Sequence, residues 1–503
     1  MKKTPEKDKN KKSLAILALI VFVIQLALSV FAAVQLIRAD LLPALYTALI
    51  IILIAALLAL TLFLVWRNCK RVRYIIGIVL SLVISAALAV SGSALGNLTG
   101  TLKTITDTTE ETTRIGVYVR ADDSAETISD AADYPFGIMG NILTEDTYNA
   151  IDQIEAELGT EISVTEYEGI SAVADALLSG ECDAMIISED FVDMLTEVEG
   201  YEDFDSEIKE IASYEWTQVV SISSDDEEES GEEDDEDDDV SIVNEDVFIM
   251  YISGIDTYGS VSTKSRSDVN ILAVVNTNTH QVLLISTPRD YYVELSISNG
   301  VKDKLTHAGI YGVSVSVDTL EMLYDTQIDY YFRINFTGFE ELIDALGGIT
   351  VYSEYSFTVG SYSYVKGYNT LDGTSALAFA RERYSFSSGD RQRGKNQMAV
   401  IEGVINKLQT TAVLTNFSAI LNGLEGSFET DMPYSELTAL VKEQLSGGGS
   451  WDVVSYSVDG TGTYSTTYSM NQSLYVMVPD ESTVETAKEL INSVLANEIV
   501  SVD

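Results

Sequence analysis

The chain has 503 residues, enough for two or three domains with a substantial core, and carries 78 Asp and Glu against 30 Lys and Arg, a net charge of −48. That excess repels a phosphate backbone, so nucleic acid is excluded as a partner for the bulk of the chain. Two cysteines, Cys69 and Cys182, and two histidines, His280 and His307, are too few for a disulfide framework or a histidine-centred zinc site.

The charge is not spread evenly, because the first dozen residues are basic through Lys2, Lys3, Lys7, Lys9, Lys11 and Lys12. Three apolar stretches follow, Ser13 to Ile37, Pro43 to Trp66 and Tyr74 to Leu95. Each has about 20 residues or more, and at about 1.5 Å per residue that crosses a hydrocarbon core of roughly 30 Å. Three in succession predict three transmembrane helices over 13–95 rather than a cleaved leader. Arg67, Lys70, Arg71 and Arg73 crowd the second connection, whereas the first holds only Arg38 and Asp40. The bias predicts a multi-pass protein of the cell membrane, its basic tail (1–12) cytoplasmic and everything after residue 100 extracellular. Cys69 and Cys182 would then face opposite sides of the lipid bilayer.

Residues 96–113 are rich in Thr and Gly and are expected as a linker. From Arg114 short strand patterns alternate with helical ones, which predicts a small α/β accessory domain over 114–224. Within it Gly169 to Ser188, a helix, a stop at Gly180 and a strand opening near Asp183, resembles pieces of bacterial solute-binding domains. A spacer, a protein-interaction domain and a ligand-binding domain remain open for it. Asp225 to Asp239 is almost wholly acidic and cannot bury enough apolar surface to fold alone, so 225–246 is expected as an extended acidic linker, with loose binding of Ca²⁺ or Mg²⁺ as the alternative.

The last region, 247–503, opens on FIMYISGIDTYGSVSTKSRSDVNILAVVNTNTHQVLLISTPRD, in which Val269 to Val275 and Val282 to Ile285 are nearly continuous apolar runs joined by a polar turn. Two strands covered on both faces are predicted. Charges stand at their borders: Arg266 and Asp268, two apart and therefore on one side of an extended segment, with Asp256 and Arg289 at neighbouring ends. Val313 to Tyr324 has helical spacing, Ile328 to Phe336 reads as a strand, and Phe339 to Leu346 as a short helix stopped by Gly347 and Gly348. LDGTSALAFARERYS carries Arg381 and Arg383, again on one side if extended. DRQRGKNQ then enters a long helix through Leu408, on which Arg393 and Gln397, four apart, share a face. From about Asn416 another helix, a GGGS loop, two strands and a final helix complete the chain.

Arg266, Arg289, Arg381, Arg383, Arg393 and Gln397 in so acidic a region call for a concentrated anion. The planar guanidinium fork suits phosphate, each charge-assisted bond contributing roughly 1.5–3 kcal/mol, and a pyrophosphate has oxygens for several forks. Asp256 and Asp268 fit a Mg²⁺ site of one or two carboxylates completed by phosphate and water. Structural ion pairing is the competing reading for any single pair. No nucleophile elbow or Walker-type loop occurs, and His307 is expected as a hydrogen-bonded loop residue.

GIDTYG, SRSDVNILAVVN, LLISTPRDYYVEL, IDYYFRINFTGFEELIDALGGITVYS, LDGTSALAFARERY and GDRQRGKNQ, in that order, resemble the LytR-CpsA-Psr (LCP) domain of bacterial cell-wall enzymes, over about Val247 to Leu408. The resemblance implies a membrane-anchored phosphotransferase of a Gram-positive bacterium, with an α/β catalytic domain around a central mixed sheet and an apolar channel for lipid. Such enzymes move wall teichoic acid or capsular polysaccharide from a polyprenyl pyrophosphate carrier to a peptidoglycan acceptor. By position it implies Asp256 and Asp268 on Mg²⁺ (or Mn²⁺ in its place), and Arg266, Arg289, Arg381, Arg383, Arg393 and Gln397 on the pyrophosphate. Asp256, Asp268, Arg266 and Arg289 then form the catalytic set, one of the two aspartates helping to deprotonate the acceptor. Many members have an arginine where this chain has Asn396. Hydrolysis of polyprenyl pyrophosphate, and a non-enzymatic surface sensor or attenuator of cell-wall metabolism, stand as alternatives.

Overall fold

The structure, a computed structural model, describes residues 5–65, 71–106, 109–220, 246–255, 260–410, 426–446 and 449–502. The acidic run Asp225 to Asp239, Cys69 and Asp256 lie outside the described residues. The chain is α/β and falls into two compact units.

The first unit holds α1 (Pro5–Ala39), α2 (Ala44–Val65) and α3 (Arg71–Thr106). Three of its segments, Ser13–Ala39, Ala44–Val65 and Val72–Asn97, are long and apolar enough to cross a membrane. Leu19, Ile52, Phe63, Val83 and Val90 are exposed along them, apolar surface that water would penalise and lipid would not. Between α1 and α3 the buried Ser81 hydroxyl donates to Gln25 Oε1 at 2.6 Å, an interhelical bond between two buried polar groups. The expected linker at 96–113 is corrected here. Residues 96–106 continue α3, and Thr109 to Thr113 are drawn into a sheet by the backbone ladder described next.

In the second unit, β1 (Thr109–Arg120), β2 (Pro135–Met139), α4 (Thr144–Leu158), β3 (Ser163–Tyr167), α5 (Ile170–Ser179), β4 (Ala184–Ile187), α6 (Glu189–Leu195), α7 (Phe204–Glu207) and β5 (Ile208–Val220) come first. The strands form a mixed sheet of order β3-β2-β4-β1-β5, in which β1 pairs antiparallel with β5 from Thr109 opposite Val220 to Arg120 opposite Ile208. Cys182 is buried and unbonded.

There follow β6 (Val247–Ile255), β7 (Ser267–Asn276), β8 (Gln281–Thr287), β9 (Tyr292–Glu294), β10 (Lys302–Lys304), α8 (Val313–Tyr324), β11 (Tyr330–Ile334), α9 (Phe336–Ala345), β12 (Ile349–Ser353), β13 (Phe357–Val359), β14 (Tyr362–Tyr364), β15 (Gly367–Leu371), α10 (Gly373–Arg381) and α11 (Asp390–Leu408). After β16 (Phe428–Thr430) come α12 (Tyr434–Leu445), β17 (Asp452–Ser457), β18 (Gly460–Thr466), β19 (Ser473–Pro479) and α13 (Glu481–Leu495). Of these, α12 lies with the apolar helices, where the Tyr434 hydroxyl donates to the Ala39 carbonyl and Lys442 pairs with Asp40 at 2.6 Å.

The central sheet has order β16-β11-β6-β7-β8-β17, antiparallel at β6–β7 and β7–β8 and parallel at β11–β6 and β8–β17. Period-two alternation sends Leu272, Val274, Leu283 and Ile285 to one face, against Leu320 of α8 and Ile491 of α13. Ile271, Ala273, Val282 and Leu284 go to the other, against Met398 of α11. Both faces are covered, which is why these strands read as unbroken apolar runs. Because β7 and β8 run antiparallel, the start of one and the end of the other meet at the same rim.

Candidate active site

That rim gathers the charges. Arg266 stands just before β7, Asp268 is its second residue, Arg289 follows β8, and Asp390 and Arg393 lie in the first turn of α11. Two glycines let the backbones close in: a Cβ at Gly309 would lie 2.4 Å from the Ser265 carbonyl, and one at Gly394 would lie 2.9 Å from Ser286 Oγ. The first seats the 3-10 turn Leu305–Ile310 on the Arg266 backbone, and the second seats α11 on β8.

Asp268, Arg289, Asp390, Arg391, Arg393 and Gln397 line one small open cleft together with Ser286 and Thr287 at the end of β8. Arg289 Nη1 donates to both Asp268 oxygens at 2.9 Å, and Thr306 Oγ1 donates to one of them at 3.2 Å. Arg393 pairs with Asp390 one turn back on its helix. Burial pushes the Asp268 carboxyl up, but the guanidiniums of Arg289, Arg393 and Arg266 outweigh it and hold Asp268 below the usual carboxylate range. Burial wins at Asp390, whose carboxyl is raised despite Arg393. Arg289 Nε is buried with no hydrogen-bond partner among the described residues, the Asp290 carboxylate lying 3.8 Å away.

Four of the sequence-predicted residues, Asp268, Arg289, Arg393 and Gln397, thus share the cleft. Arg266 is beside them without lining it. Its Nη2 pairs with Asp193 at 3.2 Å and its Nη1 with Glu197 at 3.5 Å, both from the accessory region. The expectation that Arg381 and Arg383 share one side of an extended segment is corrected. Arg381 closes α10, because the Asp372 N-cap starts a helix that runs through it, and its guanidinium lies 4.0 Å above the Phe336 ring. Arg383 reaches its neighbour, Nη2 donating to the Tyr384 hydroxyl at 2.7 Å. Among the described residues neither arginine lines the cleft. His307 is a hydrogen-bonded residue, Nδ1 lying 2.6 Å from the buried Asp303, though in a 3-10 turn rather than a loop.

Sequence reasoning missed Lys304, Asp290, Asp193 and Glu197. Lys304 is 3% exposed, with Nζ 2.7 Å from Glu197 and 3.4 Å from Asp290. Asp290 follows Arg289 directly and was legible in TPRD. Nothing local marks Asp193 and Glu197, which lie about 70 residues from Arg266 along an acidic chain.

A carboxylate held ionised among guanidiniums thus stands at the rim of the mixed sheet of this α/β protein. The LytR_cpsA_psr family model matches residues 213–491. The chain belongs to the LytR-CpsA-Psr family, and with its curated relatives it is an enzyme of the transferase class. The polyisoprenyl-teichoic acid–peptidoglycan teichoic acid transferase TagU of Bacillus licheniformis is 32% identical over 50% of this chain and 81% of that protein. TagU of Enterococcus faecalis is 34% identical over 44% of this chain and 73% of that protein. The crystal structure of B. subtilis TagV aligns at 25% identity with a TM-score of 0.43, covering 51% of this chain and 99% of that one.

Proposed function

We propose that this chain, anchored in the cell membrane with its second unit outside, moves a glycopolymer of teichoic acid or capsular polysaccharide type from a polyprenyl pyrophosphate carrier to a peptidoglycan hydroxyl. The observation that carries the reading is the pairing of Arg289 and Asp268 in one cleft with Arg393 and Gln397. The acceptor oxygen attacks the phosphorus that bears the glycan, the bond from that phosphorus to the bridging oxygen breaks, and polyprenyl phosphate leaves with the electron pair. Arg289 and Arg393 bind the pyrophosphate oxygens and take up the negative charge that grows on the departing phosphate. Asp268, held below the usual range, is a weak base. Asp390, raised by burial, is the better acceptor for the hydroxyl proton.

The donor set also fits a hard divalent cation: Asp268 is ionised, its atoms are oxygens, and a second carboxylate shares the cleft. By the family resemblance Asp268, together with Asp256, which lies outside the described residues, would hold Mg²⁺, or Mn²⁺ in its place. When bound it supplies positive charge to the pyrophosphate oxygens.

The test uses the full chain in detergent with a lipid-linked, pyrophosphate-bearing glycan, with and without peptidoglycan fragments. Glycan joined to peptidoglycan is expected, with loss of about 100-fold or more in Asp268→Ala at an unchanged fold. Equal lipid phosphate release without acceptor would replace transfer by hydrolysis.

A further inference from the structure

The accessory region reaches Arg289 through Glu197. Glu197 follows α6, whose Phe191, Val192, Met194 and Leu195 are buried in an apolar core that also takes in Ile310, Met470 and Leu474 from the catalytic region. A helix seated in a core shared by both sheets presents its flanking carboxylates at a fixed place. Asp190 accepts from Ser265 Oγ at 3.1 Å, Asp193 pairs with Arg266, and Glu197 touches three cations at once. Its Oε2 is 2.7 Å from Lys304 Nζ, and its Oε1 is 3.5 Å from Arg266 Nη1 and 3.8 Å from Arg289 Nη2.

The cations are the buried partners. Lys304, Arg266 and Arg289 are 3%, 11% and 13% exposed, whereas 31% of the Glu197 side chain is open. Buried positive groups so close together need a counter-charge, and Glu197 supplies one that all three share. Its own carboxyl is pushed up by burial, yet Lys304, Arg289 and Arg266 together hold it below the ordinary range, so it stays ionised at neutral pH.

The side from which it approaches decides its role. Arg289 turns Nη1 to Asp268 and the cleft and Nη2 toward Glu197, and neither Glu197 nor Arg266 is among the described residues that line the cleft. Glu197 therefore does not stand where a pyrophosphate would sit. An arginine side chain loses rotamer entropy when fixed, and a guanidinium already held between carboxylates has met that cost before the ligand arrives.

Resting on the transferase reading above, we propose that Glu197 of the accessory domain is a positioning residue of the active site, fixing Arg289 directly and through the Arg266–Lys304 cluster. The accessory domain is then a structural part of the catalytic site.

The experiment compares wild type, Glu197→Ala, Glu197→Asp and Arg289→Ala, all as full chains in detergent. It measures melting temperature, inorganic pyrophosphate binding by calorimetry, and glycan transfer resolved into kcat and KM. Glu197→Ala is expected to weaken pyrophosphate binding at least fivefold and lower kcat at least tenfold while melting within a few degrees of wild type. Glu197→Asp, which keeps the charge, is expected to recover a large part of both. Wild-type behaviour in Glu197→Ala, or tighter pyrophosphate binding, overturns the proposal, the latter making Glu197 a competitor of the ligand. A loss that follows the melting temperature and is not relieved by Glu197→Asp overturns it as well. The arms separate the two readings. A wild type that binds pyrophosphate but transfers nothing removes the transferase reading and leaves the binding arm to decide positioning. Arg289→Ala losing activity while Glu197→Ala loses none removes positioning alone.

Discussion

The arginines that the sequence marks for the site divide into two groups that the sequence presents alike. Arg266, Arg289 and Arg393 sit at the sheet rim against carboxylates and are mostly buried, each held by at least one ion pair. Arg381 and Arg383 lie on aromatic rings, over Phe336 and Tyr384, with Arg381 exposed. A guanidinium set between buried carboxylates has one orientation. On the proposed transferase reading, the inner group acts on charge that develops during reaction and the outer group on what has bound.

Substitutions test that division. The largest effect is expected from Arg289→Ala, with kcat down about 100-fold or more, because it removes a fixed donor and strands Asp268. A similar loss in Arg289→Lys would show that the planar fork matters beyond the charge. Arg383→Ala and Arg381→Ala are expected to raise KM about three- to tenfold, with kcat nearly unchanged, each losing on the order of 1 kcal/mol of uniform binding. If kcat fell equally for both groups, the division would be wrong.

Acid should act on the inner group alone. The folded Asp268 carboxyl holds its proton less tightly than the unfolded one, so its stabilisation is complete above about pH 4 and drains as pH falls toward the folded value. Urea melts between pH 6 and pH 3 should show that loss in wild type and a shallower one in Asp268→Asn. The smallest effect on chemistry is expected from Leu283→Ala: about 2–5 kcal/mol of stability lost from beneath the site, with turnover per folded molecule little changed.

The apolar runs of β7 and β8 were legible in the sequence because a strand covered on both faces has no polar positions to spare. Arg266, Asp268 and Arg289 were legible at their ends because charge cannot stay inside such a run. Arg393 and Gln397 followed from helical spacing. The shared side expected of Arg381 and Arg383 in an extended segment is absent because one N-cap, Asp372, begins a helix that carries Arg381 onto Phe336, and spacing two apart means a shared side only in a strand. The continuation of α3 past residue 96 was also hidden, Thr and Gly being weak helix formers whose state the surroundings decide.

By itself the sequence determined the three apolar helices, the alternation of strands and helices, and the residues that bear charge at the sheet rim, because each follows from periodicity or from the cost of burying polar groups. Only the tertiary structure decided which charges meet. Asp193 and Glu197 lie on a helix flank that looks like any other acidic surface, and they reach Arg266, Arg289 and Lys304 only because an apolar core shared by the two sheets seats α6 at the rim. Ion pairs follow distances in space, and a sequence orders residues only along the chain.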